Sequence, residues 1–197
     1  MTDRPAHVVP VDLAKAYRLI NHGPTVLVSA AHGGRRNVMA AAWNMPLDFA
    51  PPKVAVVIDR KTYTRELIEA SGELVLCVPT RAQIEAVSQV GSTSGRGLDQ
   101  ATDKFEAAGL TTFRGDQVAA PLVEGCVAWL ECKLLPEPEM AQRYDLFLAE
   151  VVAAWADSRV FDGGHWRPID AAHSTLHHVA GGVFFTLGEP VKSRDGD

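Results

Sequence analysis

The sequence predicts a mostly-β fold: an antiparallel β-barrel with helices at its periphery. Three observations carry that expectation. Short runs rich in β-branched residues recur along the chain, from Thr25–Ala30 to Gly182–Thr186. Several neighbouring runs are joined by links far shorter than the dozen or so residues a parallel crossover needs. Helical periodicity is confined to short segments between them. No repeat, low-complexity tract or composition shift divides the 197 residues, so one domain over the whole chain, with a frayed tail from Ser193, is expected.

Each element has a local cause. Asp12 caps a helix that runs to Ile20, with Leu13, Tyr17 and Ile20 on one face and Asn21-His22-Gly23 as its stop. Thr25–Ala30 and Asn37–Trp43 flank Gly33-Gly34 and predict a β-hairpin, because glycine accepts the positive φ of a tight turn. Pro46–Lys53 carries three prolines and is expected to be a loop. Val54–Ile58 is a buried-type strand, and Thr62 or Thr64 then caps a helix through Ala70 that Gly72 ends. Leu74–Val78 is a further strand. Thr80–Gln83 fits a capping box that opens a helix ending at Gly91, with Ile84 and Val87 inward. Ser92–Gln100 is a Gly/Ser-rich loop, Asp103–Ala108 a short helix stopped by Gly109, and Cys126–Leu135, Leu146–Trp155 and Gly182–Thr186 are strands.

Composition excludes several classes. Hydrophobic residues make up 47% and charged residues 22%, which is ordinary globular usage. A net charge of −5, with Arg35-Arg36 as the one basic cluster, argues against nucleic-acid binding. No apolar run reaches the ~20 residues of a membrane span, and Met1–Pro10 has no apolar core of a secretory signal. Cys77, Cys126 and Cys132 lack C-x-x-C spacing and sit in apolar runs, as buried reduced thiols do. A soluble cytoplasmic protein without membrane partners is the expectation.

Four constellations could carry chemistry. Asn37–Asn44 holds three consecutive alanines, so a flat ring could approach its backbone; a plain packing strand reads the same way. Arg60, Lys61, Thr62 and Thr64 gather cations and hydroxyls at a helix start, which suits a phosphate or an ordinary solvated cap. Gly91–Gly97 is neither a P-loop nor a dinucleotide fingerprint; it is an anion-binding turn through its hydroxyls and Arg96, or a surface loop. His173 and His177 would share one face of a helix, yet Ser174 stands where a zincin needs Glu, so no metal site is expected.

Taken in order, Val26–Ser29, Asn37–Trp43, Pro51–Val56, Tyr63–Gly72, Leu76–Pro79, Gly91–Arg96 with Asp103–Phe105, Pro121–Glu124, Leu130–Lys133 and Leu148–Val152 resemble the flavin reductase-like family. The resemblance is to its flavoredoxin-type branch of FMN-binding split barrels. It covers residues 20 to 155, with an echo at Leu176–Gly182. It implies a six-stranded split β-barrel, antiparallel and of Greek-key type, forming a homodimer with FMN at or near the subunit interface. Asn37, Val38, Met39, Ala40, Ala41 and Trp43 would then line the isoalloxazine and ribityl chain. Arg60, Lys61, Thr62 and Thr64 would contact the phosphate, with Ser92, Thr93, Ser94 and Gly95 close by. Two departures stand out: many relatives carry Thr and Ser where this chain has Ala40 and Ala42, and Gly97–Thr102 separates the Ser-Gly-Arg and Asp-Lys-Phe motifs.

The activity this implies is that of an FMN-dependent oxidoreductase, an NAD(P)H:flavin reductase using NADH or NADPH, in which the flavin does the redox chemistry. His177 is the candidate for a side chain near the ring face or nicotinamide pocket. Two other readings fit the same motifs: a flavoredoxin-like electron carrier without a nicotinamide site, and a non-catalytic flavin-binding protein.

Overall fold

The computed structural model describes residues 23–98, 103–162, 164–167, 170–191 and 193. The expected helix at Asp12–Ile20 and nearly all of the C-terminal tail lie outside them. Seven strands form one sheet in the order β2-β1-β5-β8-β9-β4-β3. They are β1 (Val26–His32), β2 (Arg35–Ala41), β3 (Asn44–Phe49), β4 (Pro52–Val57), β5 (Glu73–Val78), β8 (Ala128–Leu134) and β9 (Leu146–Ala156). Every neighbouring pair is antiparallel. The two outermost strands, β2 and β3, are consecutive in the chain and separated only by Ala42 and Trp43. A sheet whose two edges are tethered by two residues must curl until those edges meet at that end. They diverge elsewhere, and the result is a split antiparallel barrel whose ladder stays open between β2 and β3.

Local sequence explains the turns. Gly33 and Gly34 adopt φ of 58° and 77°, and His32 pairs with Arg35, so the hairpin closes in two residues as the Gly-Gly pair predicts. Thr62 is the cap of α1 (Tyr63–Ser71), accepting from Arg65 N, while Gly72 at φ 71° ends it. The Gln83 side chain accepts from Thr80 N in the expected capping box, which opens a 3₁₀ turn and then α2 (Ile84–Ser92). Asp103 caps the short α3 (Lys104–Ala107).

The apolar residues fill two volumes. Val26, Val28 and Ala30 face inward with Leu74, Leu76, Val56 and Phe147, and Leu67 and Ile68 of α1 plug that core. Leu27, Val75 and Cys77 point outward under Val87, Val90 and Phe105 of α2 and α3. Burial on both faces is why β1 and β5 read as largely apolar runs without polar alternation. All three cysteines are free and buried, and burial pushes the Cys132 thiol up to about 12.

One expectation is corrected, and two segments the sequence left open are defined. Pro46–Lys53 is not a loop: β3 and β4 form a hairpin there, with a register irregularity between Pro46 and Asp48. β3 is an edge strand, where proline's missing N–H costs no ladder bond. Residues 138–144 form a helix, α4 (Pro138–Tyr144), that short periodicity concealed, although proline in its first turn marks the start. The histidine-rich segment is not helical. His173 lies in a turn, and His177 belongs to β12 (Leu176–Ala180), which pairs with β13 (Val183–Thr186) in a separate ribbon. Small bridges at β6 (Thr112–Phe113) with β7 (Leu122–Val123), and β10 (Phe161–Asp162) with β11 (His165–Trp166), carry no periodic signal at all.

Candidate functional site

A cleft of about 730 Å³ opens beside the tether between β2 and β3. One wall is the end of β2 and the link after it, Met39 to Trp43. Because β2 ends the sheet, alternate backbone N–H and C=O groups along it point away from β1 with no strand beyond. Three successive alanines leave that backbone approachable from the cleft. The opposite wall is α2 through Val87, Ser88, Gly91 and Ser92. The β12–β13 ribbon adds His178, Gly181, Gly182 and Phe184, and the end of α4 adds Tyr144 and Asp145. The volume and the mixture of apolar walls with a few polar groups are those of a cofactor-sized site.

Its charges are anchored from behind. Asp145 takes the left-handed position that ends α4, at φ 56°. Arg65, with a side chain only 8% exposed, donates from Nη1 to Asp145 at 2.6 Å, and Arg60 Nε donates at 3.2 Å. The bond from Arg65, and then the one from Arg60, holds the Asp145 carboxyl below the usual carboxylate value. Arg65 also donates to the carbonyls of Ile58 and Ala141 and lies 5.0 Å over the Phe147 ring. This network fixes the end of α4, and therefore Tyr144, against the mouth of the cleft.

The other end of β2 is built differently. Asn37 is buried and donates from Nδ2 to Thr64 Oγ1 at 2.8 Å. A Cβ at Gly95 would collide with Asn37 Oδ1, so any other residue there must push the Asn37 amide aside. Ser94 Oγ accepts from Arg96 N, and Arg96 forms an ion pair with Glu66 in the first turn of α1. Strand β2, helix α1 and the Ser-Gly turn thus meet at one point, about 13 Å along the strand from Ala41.

The sequence-predicted residues divide between these ends. Met39, Ala40, Ala41, Trp43 and Ser92 line the cleft. Asn37, Val38 and Thr64 are buried. Arg60 is turned onto Asp145 and the carbonyl of Gln142, and Thr62 is engaged as the helix cap. Lys61 is exposed and makes no ion pair among the described residues. The Thr93 hydroxyl donates to Gln89 O, tying it to α2. His177 is not on the cleft: its Nε2 lies 3.0 Å from Thr175 Oγ1, and its neighbour His178 takes the cleft position. His178 Nε2 sits 2.9 Å from Gly181 O, which requires the proton on Nε2, and its ring meets Phe184 edge-on at 5.2 Å. Sequence reasoning passed over Asp59, Ser88, Tyr144, Asp145, His178 and Phe184. The Gly181-Gly182 turn was the available signal for the ribbon. Among the described residues no group of three His, Cys, Asp or Glu is placed to hold a metal ion, and no helix is long and apolar enough to cross a membrane.

Comparison with known proteins agrees with this architecture. Residues 17–177 match the family model described as a flavin reductase like domain. The Escherichia coli (strain K12) protein YddH is 47% identical over 186 residues, covering 93% of this chain and 96% of YddH. The crystal structure of an FMN-binding domain of a flavin reductases-like enzyme from Shewanella baltica OS155 is 52% identical, with a TM-score of 0.81, covering 94% of this chain and 96% of that one. The flavoredoxin of Desulfovibrio vulgaris (Miyazaki F) shares the fold at 23% identity, with a TM-score of 0.74 over 98% of each chain. An open-seamed antiparallel barrel with this motif order, matched over most of its length, places the chain in the flavin reductase-like family of FMN-binding split barrels.

Proposed function

We propose that the cleft holds FMN and that the protein is an FMN-dependent oxidoreductase of the NAD(P)H:flavin reductase type. The observation that carries this reading is the open edge of β2, walled by Ala40, Ala41 and Ala42, beside a cleft of about 730 Å³. The residues fit the group. Small side chains admit a flat ring, the unpaired strand edge offers it donors and acceptors, and Trp43, Tyr144 and Phe184 supply apolar contact. When bound, FMN supplies the two-electron chemistry, taking hydride from NADH or NADPH.

The chain's own residues bind and orient. Met39 to Trp43 hold the ring, with Ala40 and Ala42 leaving recognition to backbone groups. Arg60, Lys61 and Thr62, at the positive end of α1, take the phosphate. Thr64 acts one step back, holding Asn37, and Asn37 with Ser94 and Gly95 keeps the turn against α1. Ser92 and Thr93 extend α2 toward the same region. His178 replaces His177 as the side chain beside the reacting face, its ring oriented by the bond from Nε2 to Gly181 O and by the edge-on contact with Phe184. Partial enclosure of the cleft fits a homodimer, with a second copy completing the site, and the composition fits a cytoplasmic protein.

The test is the visible spectrum of purified protein loaded with FMN, before and after anaerobic addition of NADH and of NADPH. Flavin absorbance near the protein-bound maximum, bleached by either nucleotide within turnover time, is the expected result. Bound flavin that neither nucleotide bleaches would make the protein an electron carrier. Failure to retain FMN would overturn the reading altogether.

A further inference from the structure

A second cleft, of about 540 Å³, shares no lining residue with the first. Its aromatic wall is Phe113 and Trp129, whose rings meet edge to face at 5.5 Å. Trp129 is locked in position, because Nε1 donates to Val123 O at 2.8 Å and its backbone lies in the ladder between Cys77 and Trp155. Glu124 stands at the same cleft on a pinned backbone. Its N–H donates to Thr111 O at 3.0 Å, and its carbonyl accepts from Gln83 Nε2 at 2.9 Å.

The charges at this cleft do not cancel. Arg159 is engaged: Nε lies 3.0 Å from both carboxylate oxygens of Asp157. His173 Nδ1 is 2.8 Å from Asp170. The Glu124 carboxylate accepts one bond, from Thr111 Oγ1 at 2.7 Å, and makes no ion pair among the described residues. One unopposed carboxylate therefore faces a hollow walled by two fixed aromatic rings. Both the negative ring faces and the exposed carboxylate attract a cation, and their effects add. An anion would meet an Arg159 whose charge is already opposed by Asp157, while facing Glu124.

We infer that this cleft is a binding site for a small organic ammonium, a primary amine carried on an aromatic body. The ammonium sits on Glu124 and the body packs against the wall made by Phe113 and Trp129. The site is independent of flavin binding, since the two clefts have no residue in common.

The experiment titrates phenethylammonium chloride into the full-length FMN-loaded protein and follows the Trp129 indole N–H resonance, assigned with Trp129→Phe. A saturable shift is expected, weakened at least tenfold by Glu124→Gln and also by added salt. Phe113→Leu, which keeps every charge, is expected to weaken it severalfold, and phenylacetate is expected to leave the resonance unmoved. The remaining resonances report that each variant is folded. The proposal is overturned if no saturable shift occurs, if Glu124→Gln binds as tightly as wild type, or if phenylacetate binds and Arg159→Gln abolishes that binding.

Discussion

Lys104 is a buried cation with no carboxylate partner among the described residues, and replacing it with methionine has a calculable effect on stability. Its side chain lies under the second core, 5% exposed, and Nζ donates to Val90 O at 2.8 Å near the C-terminus of α2. Burial pushes its ammonium down from 10.5 to about 8. Between those values the unfolded chain binds more protons than the folded one, so wild-type stability rises as pH rises from about 8 toward 10.5. Below pH 8 both states are protonated, and folding bears the whole cost of burying the charge. Two and a half pH steps at 1.36 kcal/mol each set a ceiling of about 3 kcal/mol. Methionine has nearly the same length and needs no desolvation, but it leaves the Val90 carbonyl without this donor, at roughly 1 kcal/mol. Lys104→Met is therefore expected to be more stable than wild type by up to about 2 kcal/mol at pH 7, and to have lost essentially all of that advantage by pH 10. Urea unfolding of both proteins at pH 7, 8, 9 and 10 reads this directly, because other titrating groups cancel in the difference. Curves that stay parallel across that range would refute the reasoning, showing that Lys104 folds with an ordinary ammonium.

Further outcomes follow from the site and the core. Glu131 is fully buried and accepts from the backbone N–H groups of Asp116, Gln117 and Val118 and from Trp155 Nε1. Burial opposes its ionisation, yet those four donors hold its carboxyl below the usual value, so its stabilisation is present above pH 4.5 and lost as pH falls through the folded value. Glu131→Gln is expected to destabilise by about 3 kcal/mol at pH 7, read by urea unfolding, and to expose the 114–120 segment to protease. Gly95→Ala, which pushes Asn37 off Thr64, is expected to weaken FMN binding about tenfold in fluorescence titration while the melting temperature stays within a few degrees. Arg60→Ala and Lys61→Ala are each expected to weaken FMN by ten- to a hundredfold and leave riboflavin unchanged, since riboflavin has no phosphate. Equal losses for both flavins would move the phosphate elsewhere. His178→Ala is expected to slow anaerobic reduction by NADH or NADPH at least tenfold, with His177→Ala nearly silent; the reverse order would return the role to His177.

The legibility of this chain in its sequence depends on how local each cause is. The Gly33-Gly34 hairpin, the Thr62 cap, the Thr80–Gln83 box and the Gly72 stop are all short-range devices, and each reads directly from a few letters. β1 and β5 are legible as strands because burial on two faces leaves few polar positions, Ser29 being the one in the middle of β1. β3 defeats that logic. It is an edge strand with Pro46 inside it and Met45, Leu47 and Phe49 turned to solvent, so its pattern describes a loop. The same division runs through the site. The alanine wall and the helix start are visible as motifs, whereas Tyr144, Asp145 and His178 reach the cleft only because α4 and the β12–β13 ribbon fold back across it. Choosing between His177 and His178 requires knowing that the segment is a strand, since neighbouring residues on a strand point to opposite faces.

The two-residue tether between β2 and β3 gives the cleft a second character. Its wall is an edge of the barrel where, among the described residues, the ladder has no partner strand, so an occupant that bonds to the edge of β2 takes over part of the duty of a missing strand. Ligand affinity and barrel integrity then share the same hydrogen bonds. The occupied protein gains stability by mass action, about 2.7 kcal/mol at a hundredfold excess over the dissociation constant, concentrated along one seam. Lengthening the Ala42-Trp43 tether by a single residue would loosen the grip on ligand and the closure of the fold together, a coupling that no side-chain substitution within the cleft reproduces.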